Sequence, residues 1–509
     1  MQTAADQVRN TTDHDVLFLD GGDQFSGTLW DTLYRGQLAP IFQNRLGVQA
    51  YTVGNHDCDY GADTLANYTL KVDFPIVVAN MNASAHPVLS QTIQSYAIIT
   101  LSNGVQVGIV GFTTETTEFT SSCGDQVSFV PPIQAVPAVL AELKAQDIKH
   151  IIGLSHAGYD QDVLLAAEPA MKDLDLIVGA HTHTFLYGNK EYPNPPQLLA
   201  GSNATDTPEG PYPTLVKNGD KSIVVIQAYW ASRYLGRLET EWTSEGNLLQ
   251  VTGAPILLGG ANSSNYVPAD PATIAILNEY EGPVLEANKQ VVGSSLVALE
   301  GDAYVIRRYE TNLGNMLADA MTETALSFLR DVGSTPLVTI VNAGAVRSSL
   351  PAGNITYSDL ANALPYSNWI VIKRLTGEQL WAALENAVSA LDHPYGRFVQ
   401  VHGLRYAYDG NATAGKRIIA AILPDNQSVR DVPELLVVMN NYMAQGSDGF
   451  TMLVDPPTVL DTSAPLVDSL EHYLGINSPV APTTKGRVVV CGNMYGPATP
   501  EDPLCQDHS

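Results

Sequence analysis

Strand-sized apolar runs separated by helical patterns constrain this chain most. Val16-Leu17-Phe18-Leu19, Ile109-Val110, His150-Ile151-Ile152-Gly153-Leu154 and Leu176-Ile177-Val178 recur before about Leu257, with helical stretches such as Ala135 to Ala145 between them. Alternation of this kind predicts a layered α/β domain. Asp23, Asn55, His156 and His181 each follow an apolar run within a few residues. Loops at the carboxyl ends of strands collect catalytic groups in such folds, so four distant parts of the chain are expected to meet at one sheet edge.

With 509 residues and 45% hydrophobic content the chain can bury a large core, and its length favours two or three domains. Its longest apolar runs are strand-sized, well short of the roughly 18 residues that cross a bilayer, so no transmembrane segment is expected. The balance of 26 basic against 53 acidic residues gives −27, which repels nucleic-acid backbones and argues against a polymeric nucleic-acid partner. A small anionic substrate would then depend on bound cations and a few placed arginines.

Cys58, Cys123, Cys491 and Cys505 show no Cys-x-x-Cys spacing, which leaves a zinc finger or a thioredoxin-like site without support. Disulfides fit these positions, Cys491 with Cys505 being the easier pair. The alternative is two buried thiols and two free tail thiols. Asn10, Asn67, Asn82, Asn203, Asn262, Asn354, Asn411 and Asn426 all open Asn-x-Ser/Thr sequons, a density that points to a secreted glycoprotein. The first residues have neither the basic start nor the apolar stretch of a signal peptide, and the last lack the tail of a lipid-anchor signal.

Around Gly259 the pattern changes to Asn262-Ser263-Ser264-Asn265, then prolines, then a helical stretch interrupted by Gly282-Pro283. The chain accordingly divides into a domain over 1–258, a connector with a helix over 259–290, a second domain over 291–490 and a tail over 491–509. In the second domain, Leu313, Met316, Leu317, Ala320 and Met321 make one apolar helix face.

The polar turns carry the chemistry. Pairs of divalent cations that hydrolyse phosphate esters are held by carboxylate, imidazole and amide oxygen. Asp23 lies in Asp20-Gly21-Gly22-Asp23, Asn55 follows Gly54, His156 ends a strand, and His181 and His183 are spaced so that both imidazoles face one side if the segment is extended. His56 with Asp59 adds an imidazole held by a carboxylate, suited to stabilising a phosphoryl oxygen or protonating a leaving group. Each of these alone is more often a turn former or a satisfied polar residue. Their order gives them weight.

Gly-Asp-Gln, Gly-Asn-His-Asp, Ser-His and Gly-x-His-x-His, in that sequence, resemble the calcineurin-like metallophosphoesterases. Glu310-Thr311-Asn312-Leu313-Gly314-Asn315, Asn342-Ala343-Gly344-Ala345-Val346-Arg347, Leu364-Pro365-Tyr366 and the segment Asn441 to Phe450 resemble the 5′-nucleotidase C-terminal domain. The resemblance covers nearly the whole chain. It implies a metallophosphoesterase β-sandwich flanked by helices, followed by an α+β substrate-binding domain. It also implies hydrolysis of nucleoside 5′-monophosphates to nucleoside and phosphate, with nucleotide-sugar or 2′,3′-cyclic nucleotide hydrolysis, or non-catalytic nucleotide binding, as alternatives.

By the same resemblance two divalent metal ions are expected, zinc, manganese or cobalt. Asp23 would bridge them, Asn55, His156 and His181 would complete one site, His183 would serve the other, and His56 and Asp59 would form the catalytic dyad. The family's Asp-x-His on an earlier strand has no equivalent, because Asp13-His14-Asp15 has the wrong spacing. A chain shortened at its start, losing one strand and a signal peptide, is the expectation that covers both gaps. For substrate, the resemblance implies Tyr366 and Tyr442 around the base, Asp448 on ribose hydroxyls, Asn342 near phosphate or sugar, and Arg308 as a phosphate ligand with Arg307 as the alternative, while Arg347 can fork two hydrogen bonds to a phosphate.

Overall fold

The apolar run before Asp23 enters a parallel sheet. Leu19–Asp20 pairs with Ala50–Tyr51, which pairs with Ile76–Val77, which pairs with Ile93–Gln94. The computed structural model describes residues 1–25, 28–121, 123–329, 335–366, 368–492 and 497–505. The chain divides into two units, Met1–Ser26 with Tyr34–Glu281, and Gly27–Leu33 with Gly282–Ser509.

The first unit holds a second, six-stranded sheet in the order Thr214–Asn218, Lys221–Gln227, Leu176–Gly179, His150–His156, Gln106–Thr113, Tyr96–Thr100. Its four inner strands are parallel and its two edge strands antiparallel. The two sheets meet through Ala50, Val77, Val107, Ile109 and Leu154, all buried. Their approach requires Gly111, where an added Cβ would sit 1.7 Å from the Val77 carbonyl oxygen. On the other face of the six-stranded sheet, the helix Pro132–Ala145 buries Val136, Leu140 and Leu143 among Phe112 and Ile151, a spacing of one helical face. This is the expected sandwich with flanking helices.

The second unit is built on a five-stranded sheet, Val399–His402, Leu337–Asn342, Leu435–Asn440, Trp369–Leu375, Thr458–Pro465. The helix Asn312–Phe328 buries Leu313, Met316, Leu317, Ala320 and Met321, as their spacing predicts, and Thr311 caps it by accepting from the Gly314 N–H. Helices and antiparallel pairs make this unit α+β.

Two expectations change. The helix Pro271–Lys289 runs through Gly282-Pro283 without interruption. A proline removes one backbone donor, a local loss, and bonds near both ends of the helix, Ile274 N to Asp270 O and Gln290 N to Glu286 O, are kept. All four cysteines are paired, Cys58 with Cys123 and Cys491 with Cys505, so the reading of buried free thiols is overturned. The residues 65 apart meet because the turn after Ala50–Tyr51 and the loop after Gln106–Thr113 are folded together, which spacing along the chain does not reveal. No helix among the described residues is long and apolar enough to cross a membrane.

Candidate functional site

The two glycine turns of the first unit interlock. Asp23 has φ 62°, a left-handed conformation set up by the turn that leaves Leu19–Asp20. Its Oδ1 accepts from the His56 backbone N–H at 2.8 Å and lies against Gly54, where a Cβ would come within 2.1 Å. Glycine at 54 is therefore a condition of the close approach.

Asp57, fully buried, ties these turns together. Its carboxylate accepts from the backbone N–H groups of Asp23, Gln24 and Gly54 and from the Tyr51 hydroxyl. Burial and the charge of Asp23 push its carboxyl up, but four donors into its two oxygens favour the ionised form. Asp57 was not singled out from sequence. Its place beside Gly-Asn-His is the only signal it carried.

His156, at the end of its strand, donates from Nδ1 to the Gly21 carbonyl at 2.6 Å, which turns Nε2 towards Asp23 Oδ2 at 3.0 Å. One ligating atom from each of Asp23, His156 and His181 lies within 4.8 Å of the others. Burial would raise Asp23, yet the charges of His156 and His56 and the hydrogen bond of His156 hold it below the usual carboxylate range. Burial and the charge of His156 push His181 down to about 3, leaving a neutral imidazole able to coordinate. Asn55 is buried, and its Oδ1 has no hydrogen-bond partner among the described residues. An orphaned amide oxygen, a carboxylate and two imidazoles form a donor set that fits a borderline divalent cation.

His183 is placed differently. His181 and His183 have φ of 77° and 55°, so the segment is a turn and not the extended piece that would aim both rings to one side. His183 stacks on Trp230, with ring centroids 5.4 Å apart and planes 12° apart. Buried Gln227 braces the turn, donating to the Ala180 carbonyl at 2.8 Å and accepting from the Thr184 N–H. Neither Trp230 nor Gln227 is marked by a motif. Asp13-His14-Asp15 lies on an exposed stretch, with Asp15 accepting from the Ser102 N–H.

His56 and Asp59 stand one turn apart on the short helix His56–Cys58 and its cap, with Nδ1 to Oδ2 at 2.8 Å. In the second unit, Tyr442 donates to Asp448 Oδ1 at 3.1 Å, Asn342 donates to Asp448 Oδ2 at 3.4 Å, and Asn440 donates to Asn342 Oδ1 at 2.8 Å. Asp448 has φ 55°. Burial raises its carboxyl, and the Tyr442 hydrogen bond with the charges of Arg397 and Arg307 opposes this. The Arg347 guanidinium lies 5.5 Å over the Tyr366 ring.

Arg307 donates to the Pro394 carbonyl at 3.0 Å and lies within electrostatic reach of this group. Burial lowers its guanidinium, followed by the charge of Arg347, with Tyr366, Asp448 and Tyr442 acting against them. Arg308 instead lies over Tyr304 and reaches the Asp392 carbonyl at 3.5 Å. The structure thus brings Asn342, Arg347, Tyr366, Tyr442 and Asp448 together with Arg307, while Arg308 points to other partners.

The family model of the calcineurin-like phosphoesterases matches residues 1–185, and that of the 5′-nucleotidase C-terminal domain matches 291–455. The chain belongs to the 5′-nucleotidase family. A 5′-nucleotidase of Bos taurus is 32% identical over 504 residues, 96% of this chain and 84% of the relative. An apyrase of Aedes albopictus is 31% identical, covering 96% and 85%. The crystal structure of a 5′-nucleotidase precursor from Thermus thermophilus is 33% identical, with a TM-score of 0.79 over 97% of this chain and 93% of that one. The chain is accordingly a phosphoric monoester hydrolase with a metallophosphoesterase unit and a 5′-nucleotidase C-terminal unit.

Proposed function

We propose that this chain hydrolyses nucleoside 5′-monophosphates to nucleoside and phosphate with divalent cations held by the first unit. The convergence of Asp23, His156 and His181 carries the reading, with the buried Asn55 Oδ1, unpartnered among the described residues, on the turn whose Gly54 and His56 meet Asp23. Asp23, Asn55, His156 and His181 would hold one cation, and Asp23 with His183 would contribute to a second. Zinc, manganese or cobalt suits these donors. Cations bound there supply Lewis acidity at the phosphoryl oxygens and a more acidic water.

The chain's own side chains do the rest. Asp59 engages His56 Nδ1, so Nε2 is the nitrogen that acts on a phosphoryl oxygen or protonates the leaving oxygen. His156, fixed through the Gly21 carbonyl, cannot turn away from Asp23 without losing a buried hydrogen bond. In the second unit, taken as 291–490 after the connector, Tyr366 and Tyr442 would hold the base and Asp448 the ribose hydroxyls. Arg347 and Arg307 would fork onto phosphate, with Asn342 beside them. Arg307 replaces Arg308 in this reading because it is the one among the cluster.

A secreted glycoprotein is the compartment these residues favour. Both disulfides suit an oxidising environment, and all eight sequon asparagines are exposed. Phosphate release from AMP, ADP, UDP-glucose and 2′,3′-cyclic AMP, with each metal supplied, tests the substrate. A preference for AMP is expected, and its absence would overturn the reading.

A further inference from the structure

Ser121 belongs to no motif, yet its buried hydroxyl donates to Asp59 Oδ1 at 2.9 Å. The other oxygen of the same carboxylate holds His56 Nδ1 at 2.8 Å. Two residues beyond Ser121, Cys123 is bonded to Cys58, which is the last residue of the His56–Cys58 turn. The loop bearing Ser121 is thus joined to the dyad turn twice, covalently and through Asp59. Both cysteines are buried.

We propose that Ser121 is a positioning residue for the His56–Asp59 dyad and that the Cys58–Cys123 disulfide keeps it in place. This rests on the reading that His56 acts on phosphate. A carboxylate engaged at one oxygen can rotate about its Cβ–Cγ bond, whereas one engaged at both holds a single plane and presents the imidazole in one orientation. Among the described residues the hydroxyl bonds to Asp59 and to none of the cation ligands, so its loss acts on turnover and not on binding. The disulfide acts through the same hydroxyl, so the two losses overlap.

Steady-state kinetics on AMP, metal content and melting are measured for wild type, Ser121→Ala, Cys58→Ala/Cys123→Ala and the triple variant. Ser121→Ala should keep its metal and its KM while kcat falls about tenfold. The cysteine variant should lose kcat by at least as much, and adding Ser121→Ala to it should cost no more than about twofold further. An unchanged kcat in Ser121→Ala, a rise in KM in place of the fall in kcat, or losses that multiply in full would overturn the proposal. If the cysteine variant does not fold, oxidised and TCEP-reduced forms of Cys491→Ala/Cys505→Ala replace it, with the same expectation for the reduced form. A wild type that releases no phosphate from AMP refutes the functional reading and this proposal with it. An active wild type with an unaffected Ser121→Ala refutes this proposal alone.

Discussion

The His56 backbone N–H donates to Asp23, yet the loss of the two side chains should look different. His56→Ala removes a group proposed to act only on transition-state charge, so kcat should fall by about 10²–10⁴ with metal content and KM little changed. Asp23→Asn removes the carboxylate shared by the ligand cluster, so elemental analysis should show metal lost together with activity. A metal-replete but inactive Asp23→Asn would contradict its place as a ligand. The arginines offer a sharper contrast. Arg307→Ala should weaken AMP binding by about 1.5–3 kcal/mol, the usual worth of a charged hydrogen bond, while Arg308→Ala should leave KM near wild type. The motif left these neighbours in doubt because register within Ile306-Arg307-Arg308-Tyr309 depends on how the chain leaves the short helix Ala303–Ile306. In the fold, Arg307 is the one on which Arg347, Tyr366, Asp448 and Tyr442 act, which is why the proposed reading takes it over Arg308.

At the scale of elements, the loop after Leu435–Asn440 presents both Tyr442 and Asp448, and a lysine from the adjacent strand holds it. Lys373, on Trp369–Leu375, is buried and donates to the carbonyls of Ala444, Leu453 and Val454 at 3.0, 2.6 and 2.8 Å. Three donors meet three carbonyls, which satisfies an otherwise costly buried ammonium. Lys373→Met leaves those carbonyls unpaired at about 1–3 kcal/mol each before relaxation, so the melting temperature should drop and the KM for AMP should rise. Turnover at saturation should survive, because the first unit is untouched. A variant that melts lower but binds AMP as wild type does would show that the clamp stabilises the unit without shaping the pocket. The interlocked turns around Asp57 work in the same way, one side chain collecting backbone donors from two loops.

For the whole molecule, stability should follow both metal and pH. Cations that bind the folded Asp23–His156–His181 cluster stabilise it by mass action, about 4 kcal/mol at a thousandfold excess over Kd, so chelation should lower the melting temperature measurably. In the chelated protein, burial pushes the Asp162 carboxyl up to about 8 while Ser155 donates to it. The folded chain then holds a proton that the unfolded chain releases in the ordinary carboxyl range. The stability from this group is full at low pH and is lost as pH rises towards about 8. Asp162→Asn mimics the neutral acid, so its melting temperature should gain on wild type from about pH 4 to about pH 9. A constant gap across that range would show that Asp162 is not held neutral.

Apolar periodicity, turn glycines and the order of polar motifs specify locally, and they sufficed for the layered first unit, the buried face of Asn312–Phe328, the Asp23, Asn55, His156 and His181 turns and the His56–Asp59 pair. Groups that act through partners remote in the chain carry no such local mark. Gln227 under the histidine turn, Trp230 on His183, Lys373 beneath the loop of Tyr442 and Asp448, Arg307 within reach of Arg347 and Asp448, and the Cys58–Cys123 link each depend on which strands lie side by side. That adjacency is set by the packing of two sheets through residues such as Gly111, and long-range packing is a property of the assembled chain and not of any segment of it.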